Sequence, residues 1–566
     1  VKQDLAPNMT DYQETRRTFR LEVPARFNYA RDVVDGWAAR DPDRLALLAV
    51  DETGANVRRL TFEDLARLSN RAANFLAAQG IERGDRVFLM LPRIPEWHIA
   101  MLGLMKLGAV PMPGTSLLTG RDIAYRVQRA EAVAAIVDEA SVTKIDGARE
   151  RAETLRTSIC VGSGASAGWL DWAEGLDRAS DAEPDPVPTL ADDPLVLYFT
   201  SGTTGHPKMV LHTQASYGIG HEITARFWQD LHPGDLHWTI SDMGWAKAAW
   251  GKLFGQWRMG AAVFLWDVRG RMDLDRTLRL IAEHGITTLC APPTVFRAVV
   301  QLDLPTYDWG RLRHVVAAGE PLNPEVIRVW REATGLTVHD GYGQTETVNL
   351  VANYRCLPVR EGSMGKPTPG FDVRIVDDDG VPLGPGETGH IGVRVAPERP
   401  VGLFKEYWRD EDATRYSVRG DFYDTGDTAY TDDEGYLWFV GRADDVITSS
   451  AYRIGPFEVE SALVEHRAVA EAAVVGKPDP LRGEIVKAFV ALKAGYEPSD
   501  ELVKDIQDLV KRITAPYKYP REIEFVDELP KTVSGKIRRV ELRQREIDRA
   551  DEPVAPREEP SSAPER

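Results

Sequence analysis

At 566 residues the chain exceeds what a single hydrophobic core serves, so two or more domains are expected. With 43% hydrophobic and 28% charged residues it has a globular composition, which excludes collagen-like, mucin-like and wholly disordered classes. The formal charge of -18 argues against nucleic-acid and anionic-membrane partners, since both are bound through an excess of lysine and arginine.

Locally basic ground is confined to residues 511–545. There Lys511, Arg512, Lys518, Arg521, Lys531, Lys536, Arg538, Arg539, Arg543 and Arg545 outnumber the acids, a pattern that serves an anionic small ligand or a solvated helix face. Cys160, Cys290 and Cys356 are odd in number, far apart and without a C-x-x-C pair, so neither a disulfide framework nor a zinc site is indicated and a cytoplasmic location is expected. The longest apolar stretch, residues 99–112, is interrupted by Lys106 and meets Pro111, so no membrane span is predicted.

In chain order, residues 29–79 read as helical segments around a turn at 52–56. Residues 86–91 form a short apolar run bounded by Gly84-Asp85 and Pro92 and read as a buried strand; residues 94–107 then carry helical periodicity, and residues 133–137 repeat the strand signature. Such alternation implies parallel sheets flanked by helices, with ligands at the carboxyl ends of the strands. Residues 195–199, 289–293 and 314–318 are further strands that run into loops. From 372 to 395 the pattern turns to short strands with turn signals at Asp379-Gly380 and Gly384-Pro385-Gly386, a small β-unit. Beyond a domain boundary placed at Asp444, strands at 469–475 and 486–492 and a helix at 500–514 make a small, basic α+β unit. Residues 549–566, rich in Pro, Glu, Ser and Arg, read as a disordered tail.

Three loops carry chemistry. In YFTSGTTGHPKMVLHT, residues 198–213, Gly202 and Gly205 permit a tight backbone whose N–H groups can face an anion. Thr200, Ser201, Thr203 and Thr204 add hydroxyls, and Lys208 adds charge: a phosphate cradle. It is not the P-loop of common ATPases, because Pro207 rather than Gly precedes the lysine. The loop GEPLNPE follows strand 314–318. The loop HDGYGQTE at 339–346 offers an aromatic face in Tyr342, donors in Gln344 and Thr345, and in Glu346 a hard oxygen ligand suited to Mg2+.

Taken together, TSGTTGHPK, GEP, YGQTE, YDTGD at 423–427, GRADD at 441–445, YRIGP at 452–456 and PKTVSGK at 530–536 resemble, in this order, the adenylate-forming superfamily of acyl-CoA synthetases, luciferases and adenylation domains. The resemblance covers residues 29–547. Within it, SDMGWAKAAWG at 241–251 is most similar to medium-chain acyl-CoA synthetases. The resemblance implies a large N-terminal domain of α/β subdomains with a β-barrel-like unit over residues 1–443, and a mobile α+β domain over 444–548 that turns about Asp444.

It also implies a two-step reaction. A carboxylate attacks the ATP α-phosphate to give acyl-AMP and pyrophosphate, and the CoA thiol then displaces AMP. By position, Lys536 bridges carboxylate and α-phosphate, Thr200 to Lys208 hold the outer phosphates, and Glu346 meets Mg2+, with Thr345 beside it. Asp427 accepts the ribose hydroxyls, and Arg442 and Arg453 reach the nucleotide. Gly319, Glu320, Pro321, Asp340, Gly341, Tyr342, Gly343 and Gln344 form the adenine pocket. Ser450, Ala451, Tyr452, Arg482, Tyr519, Pro520 and Arg521 meet CoA.

One departure stands out: Ala451 occupies a position where the family usually has Gly, beside the path of the pantetheine arm, so a slowed thioester step is expected. The acetate-specific relatives close the acyl pocket with a Trp at the position of Gly343. With Gly343 and Ala318 both small, and Trp228, Trp245, Lys247 and Trp250 matched to the pocket wall, a medium-chain, branched or aryl acid is expected. Two other readings stay open: an adenylation enzyme that loads a carrier protein, and an acyl-AMP-binding protein without turnover. The partners are a carboxylic acid, ATP and CoA, and homo-oligomerisation is left open.

Overall fold

The computed structural model describes residues 5–163, 167–200, 207–270, 272–449, 452–479, 482–515, 517–532 and 536–551, with the side chains of 452, 453, 550 and 551 left aside. It divides into two compact units, Val1–Phe439 and Val440–Arg566.

Two sheets dominate the first unit. One has five parallel strands in the order Val110–Pro113, Arg86–Met90, Ala134–Asp138, Thr157–Val161, Leu170–Asp171. The other has nine, running from Lys366–Pro367 through Val351–Ala352, Val338–Tyr342, His314–Ala318, Thr288–Ala291, Leu236–Thr239, Ala262–Trp266 and Leu45–Val50 to Val57–Thr61. Its central strands are parallel and fully buried, as expected of short apolar runs followed by helices. Capping sets the helices' starts: in Phe62–Ala78, Thr61 and Asp64 form a reciprocal capping box, and Pro95 opens Pro95–Leu107, which ends on Gly108 at φ 68°.

Three expectations change. Residues 45–61 are a β-hairpin rather than helix, with Leu45–Val50 paired antiparallel to Val57–Thr61. The turn between them is tied by Asp51 Oδ1, which accepts from Thr53 Oγ1 at 2.7 Å and Ala55 N at 3.2 Å. A six-residue apolar run has no periodicity with which to tell strand from buried helix. Strand Pro194–Thr200, expected at the end of a parallel sheet, instead pairs antiparallel with Lys208–Thr213 in a three-stranded sheet completed by Glu406–Tyr407. The small β-unit is not barrel-like: among the described residues it is an open sheet in the order Val373–Val376, Gly389–Arg394, Phe422–Thr431, Val418–Arg419, with Leu437–Arg442 beside Phe422–Thr431.

The second unit is α+β. Its sheet runs Tyr452–Ile454, Ile447–Ser449, Gly483–Leu492, Val469–Asp479, with Glu522–Phe525 parallel to Gly483–Leu492. Helices Pro456–Val464 and Asp500–Ile513 cover one face, packing Val459, Leu463, Ile506 and Val510 onto Val474, Val486 and Ala488. Ser499 caps the latter helix, with Asp500 and Glu501 in its first turn and Lys511 and Arg512 in its last, the arrangement the helix dipole favours. Helix Arg539–Asp551 seats Leu542 against Ala473, Val475 and Phe489. This helix runs past residue 548, where the tail was expected to begin, and residues 552–566 lie outside the described ones.

Candidate active site

Strands Thr288–Ala291, His314–Ala318 and Val338–Tyr342 lie side by side in parallel, in a register that sets Ala317 beside Asp340 and Ala318 beside Gly341. Their carboxyl ends therefore bring the loop at Gly319–Pro321 next to the loop at Gly343–Glu346. Gly319 sits at φ 109°, a region that L side chains rarely adopt, so the chain can turn out of the sheet there. Glu320 turns its side chain to Arg297, whose Nη2 donates at 2.9 Å, and its backbone is what lines the loop.

The open sheet delivers Asp427 to this edge. Asp427 is 5% exposed, and its Oδ2 accepts from Tyr342 Oη at 2.6 Å and from Gln344 Nε2 at 2.7 Å. Gln344 Nε2 also donates to Thr425 O at 2.8 Å, and its Oε1 accepts from Tyr423 Oη at 3.2 Å. Two residues mapped to adenine and the one mapped to ribose thus form one hydrogen-bonded set. A charged acceptor held by two neutral donors keeps lone pairs for further hydroxyl donors.

Glu346 is 9% exposed and accepts from Tyr407 Oη at 2.9 Å. Lys208, at the return of the hairpin, stacks its ammonium on the ring of that same Tyr407, 4.6 Å from the centroid. The phosphate-loop lysine and the metal-suited carboxylate therefore meet through Tyr407, which the sequence reading missed. The adjoining Thr345 is held through its carbonyl, which accepts from His212 Nε2 at 2.8 Å and Tyr217 Oη at 2.5 Å. His212 stacks on Tyr217 with centroids 3.4 Å apart, and burial pushes its imidazole down to about 3. It is therefore neutral, with Nε2 carrying the proton and Nδ1 accepting from Ser216 Oγ at 3.0 Å. Among the described residues no three His, Cys, Asp or Glu side chains gather to hold a metal. Glu346 alone fits Mg2+, which commonly takes one or two carboxylates and fills its remaining positions with phosphate oxygens and water. Asp340 lies behind this edge, and burial pushes its carboxyl up to about 8.

The acyl side departs from expectation. A Cβ on Gly343 would lie 2.3 Å from Trp250 Cη2 and 2.7 Å from Val348 O, and one on Gly341 would lie 2.5 Å from Trp228 Cε2. The space that a small residue at 343 was expected to leave open is filled by an indole. Trp228 donates from Nε1 to His339 O at 3.1 Å and meets Trp250 edge to face. Lys247 Nζ donates to Ala318 O at 2.7 Å, and Trp245 caps the helix Ala246–Lys252 that carries Trp250.

Thr200 ends its strand, whereas Ser201, Gly202, Thr203, Thr204 and Gly205 lie outside the described residues, as do Ser450 and Ala451. In the second unit Tyr452 and Arg453 stand on a strand paired with Ile447–Ser449, and Arg442 precedes the turn Ala443–Asp445 that holds Asp444. Most of the basic run proves to be paired. Lys511, Lys518, Lys531, Arg538, Arg539, Arg543 and Arg545 bind Asp508, Glu458, Glu471, Glu541, Glu460, Asp445 and Glu524 respectively. Among the described residues Arg512, Arg521 and Lys536 make no ion pair, and two of these three are residues that the resemblance maps to CoA and to catalysis. Tyr519 lies between Lys511 and Arg521, 4.3 and 5.4 Å from its ring centroid. Pro520 is buried, its carbonyl accepting from Gln507 Nε2 at 3.0 Å, and Arg482 N donates to Asp479 Oδ1 at 2.8 Å. Lys536 is exposed, and its backbone closes on Thr532: Thr532 N donates to Lys536 O at 2.7 Å and Lys536 N to Thr532 Oγ1 at 3.1 Å.

Comparison with known proteins agrees with this arrangement. The AMP-binding enzyme family matches residues 34–408, and the AMP-binding enzyme C-terminal domain matches 458–536. Acyl-coenzyme A synthetase ACSM3, mitochondrial, of Mus musculus is 46% identical over 547 residues, covering 95% of this chain and 94% of its own. ACSM5, mitochondrial, of Homo sapiens is 46% identical over 535 residues, covering 93% and 92%. Among solved structures, the anthranilate CoA ligase AuaEII in complex with anthranoyl-AMP superposes with a TM-score of 0.86 at 29% identity, covering 93% of this chain and 99% of its own. An acyl-CoA synthetase of Brucella canis does so at 0.74 and 36%, covering 96% and 100%. With the GEP, YGQTE and YDTGD motifs meeting at one sheet edge of the first unit and both family domains matched in order, the chain belongs to the AMP-binding enzyme family.

Proposed function

We propose that the chain is an AMP-forming acyl-CoA synthetase, which joins a carboxylic acid to CoA at the expense of ATP through an acyl-adenylate. The observation that carries this reading is the convergence of Gly319–Pro321, Tyr342–Glu346 and Asp427, far apart in sequence, at the carboxyl ends of adjacent parallel strands. In the first step a carboxylate oxygen bonds to the α-phosphorus as the bond to pyrophosphate breaks. Two anions meet, so cations and N–H donors must offset the charge that gathers. Lys536 supplies one cation; Lys208, with the hydroxyls and amides of residues 200–205, holds the outer phosphates. Asp427 accepts the ribose hydroxyls, Tyr342 and the 319–321 backbone flank the base beside Asp340, Gly341 and Gln344, and Arg442 and Arg453 reach the nucleotide. Glu346, beside Thr345, would hold Mg2+, which when bound would supply charge neutralisation on the phosphates.

In the second step the CoA thiolate takes the acyl group and AMP leaves. Arg482, Tyr519, Pro520 and Arg521, with Ser450, Ala451 and Tyr452, form the CoA side. The C-terminal unit turns at Asp444 to exchange the lysine loop for this surface, with the domain proper taken as residues 444–548. Ala451 slows this step relative to a glycine, and Ala451→Gly with an unchanged thioester rate would remove that reading.

For the acid we propose a medium-chain, branched or aryl acid whose tail lies against Trp228, Trp245, Lys247, Trp250 and Ala318, admitted as Trp250 turns away from Gly343. The relatives' names include an anthranilate ligase and a benzoate ligase, and aryl acids are flat enough to slip beside an indole. Three free cysteines suit a reducing compartment, and among the described residues no helix is long and apolar enough to cross a membrane; we place the enzyme in the cytoplasm, although several relatives are named mitochondrial.

The test is incubation with ATP, Mg2+ and acids from acetate to dodecanoate plus benzoate, with and without CoA, with pyrophosphate and thioester followed separately. Both products, peaking at a medium-chain or aryl acid, are expected. Pyrophosphate alone would favour a carrier-protein acceptor, and neither product would favour a binding protein.

A further inference from the structure

The segment that carries Lys536 is closed at its base and anchored just beyond it at Arg539. Lys531 and Ile537 form a β-bridge, Arg538 N donates to Pro530 O at 2.8 Å, and Arg539 begins helix Arg539–Asp551. Arg539 grips Glu460 side-on: Nε donates to Oε1 at 2.9 Å and Nη2 to Oε2 at 2.6 Å. Glu460 Oε1 also accepts from Val474 N at 2.8 Å, and the residue is 7% exposed. Glu460 lies on helix Pro456–Val464, directly after the strand Tyr452–Ile454 that holds Arg453. One two-point ion pair, with Glu460 buried and Arg539 half-buried, therefore ties the lysine segment to the segment of the mapped nucleotide arginine and to the central sheet.

An apolar pair would hold two helices together as well or better, because removing both charges from water costs about what their attraction returns. What a two-point guanidinium–carboxylate contact adds is direction: it fixes the rotation of the helix start and hence of the chain just before it. We propose that Glu460 and Arg539 are positioning residues that aim Lys536, and that they serve adenylation in particular; this rests on the synthetase reading above. The same helix carries a second buried pair further along, where Lys487 Nζ lies 2.8 Å from Glu546 Oε1 and 2.8 Å from Glu524 Oε2. That pair holds the helix body seven residues beyond Arg539 and is the natural control.

The experiment uses the full chain and the variants Glu460→Gln, Arg539→Lys and, as control, Lys487→Met. Three quantities are read: pyrophosphate release from ATP and acid, thioester formation from supplied acyl-AMP and CoA, and Tm. A slight misplacement of a reacting group costs on the order of tenfold or more in rate. Glu460→Gln and Arg539→Lys are therefore expected to slow pyrophosphate release by about that factor. Thioester formation from acyl-AMP should stay close to wild type, while Lys487→Met lowers Tm and leaves the ratio of the two rates unchanged. Amide exchange at residues 536–539 should also rise in Glu460→Gln while that of the sheet does not. An active wild type whose two half-reactions fall together in the Glu460 and Arg539 variants, in step with Tm, overturns the proposal alone. A wild type that yields neither product overturns the synthetase reading and the proposal with it.

Discussion

Glu346 and Asp427 in the first unit are 9% and 5% exposed, each gripped by a tyrosine hydroxyl, and the loop that ends at Glu346 hangs from a buried, neutral histidine through the Thr345 carbonyl. Lys536 in the second unit is exposed, fastened only through its backbone to Thr532, and its side chain makes no ion pair among the described residues. The difference teaches how the labour is divided. On the proposed reading, groups that must hold a nucleotide through both steps are fixed in advance. The cation that one step would need on that reading makes no ion pair among the described residues, so none of these has to break when it is used.

The sharpest way to break that contrast is at the fixed groups. Glu346→Gln should reduce pyrophosphate formation by roughly a hundredfold or more, the scale of losing one charge-stabilising group in a transition state. A loss of only a few-fold would mean that the carboxylate is structural. Asp427→Asn should raise KM for ATP by about ten- to a hundredfold, the worth of hydrogen bonds to a charged acceptor, with less effect on kcat. Equal changes in the KM for the acid would argue against a ribose contact. Tyr407→Phe removes one donor to Glu346 but keeps the ring under Lys208, so a few-fold fall is expected, about 1 kcal/mol or less.

The smallest effect concerns stability. The carboxyl of Asp340 is pushed up to about 8 by burial, far above its unfolded value near 3.9. The native state then binds more protons than the unfolded chain at Asp340, so its contribution is full below about 4 and declines as pH rises toward 8. Asp340→Asn mimics the neutral acid, and its Tm relative to wild type should rise across that window. A difference independent of pH would show that the carboxyl ionises freely.

Much of this was legible in the sequence where short apolar runs end in glycine-bearing loops: strand 314–318 and the loops after it lie where the alternation placed them. The motif residues Tyr342, Gln344 and Asp427 could be paired off by family position, but their mutual hydrogen bonds could not, because the open sheet that brings Asp427 across is long-range. Tyr407 sits in FKEYWRD, a stretch with no pattern that marks it, and only the third strand of the hairpin sheet carries it to Glu346. Gly343 was read as room because a sequence reports a missing side chain and not the neighbour that fills the gap, here Trp250. The basic run at 511–545 misled for a related reason: charges counted along the chain cannot show that Arg539 and Arg543 are spent on Glu460 and Asp445.

The most direct measurement is of Lys536→Met in the two half-reactions. Pyrophosphate formation from ATP and acid is expected to fall by roughly a hundredfold or more, while thioester formation from supplied acyl-AMP and CoA stays within a few-fold of wild type. Equal losses in both steps, or undiminished pyrophosphate release, would contradict the claim that this lysine is the cation delivered for adenylation alone.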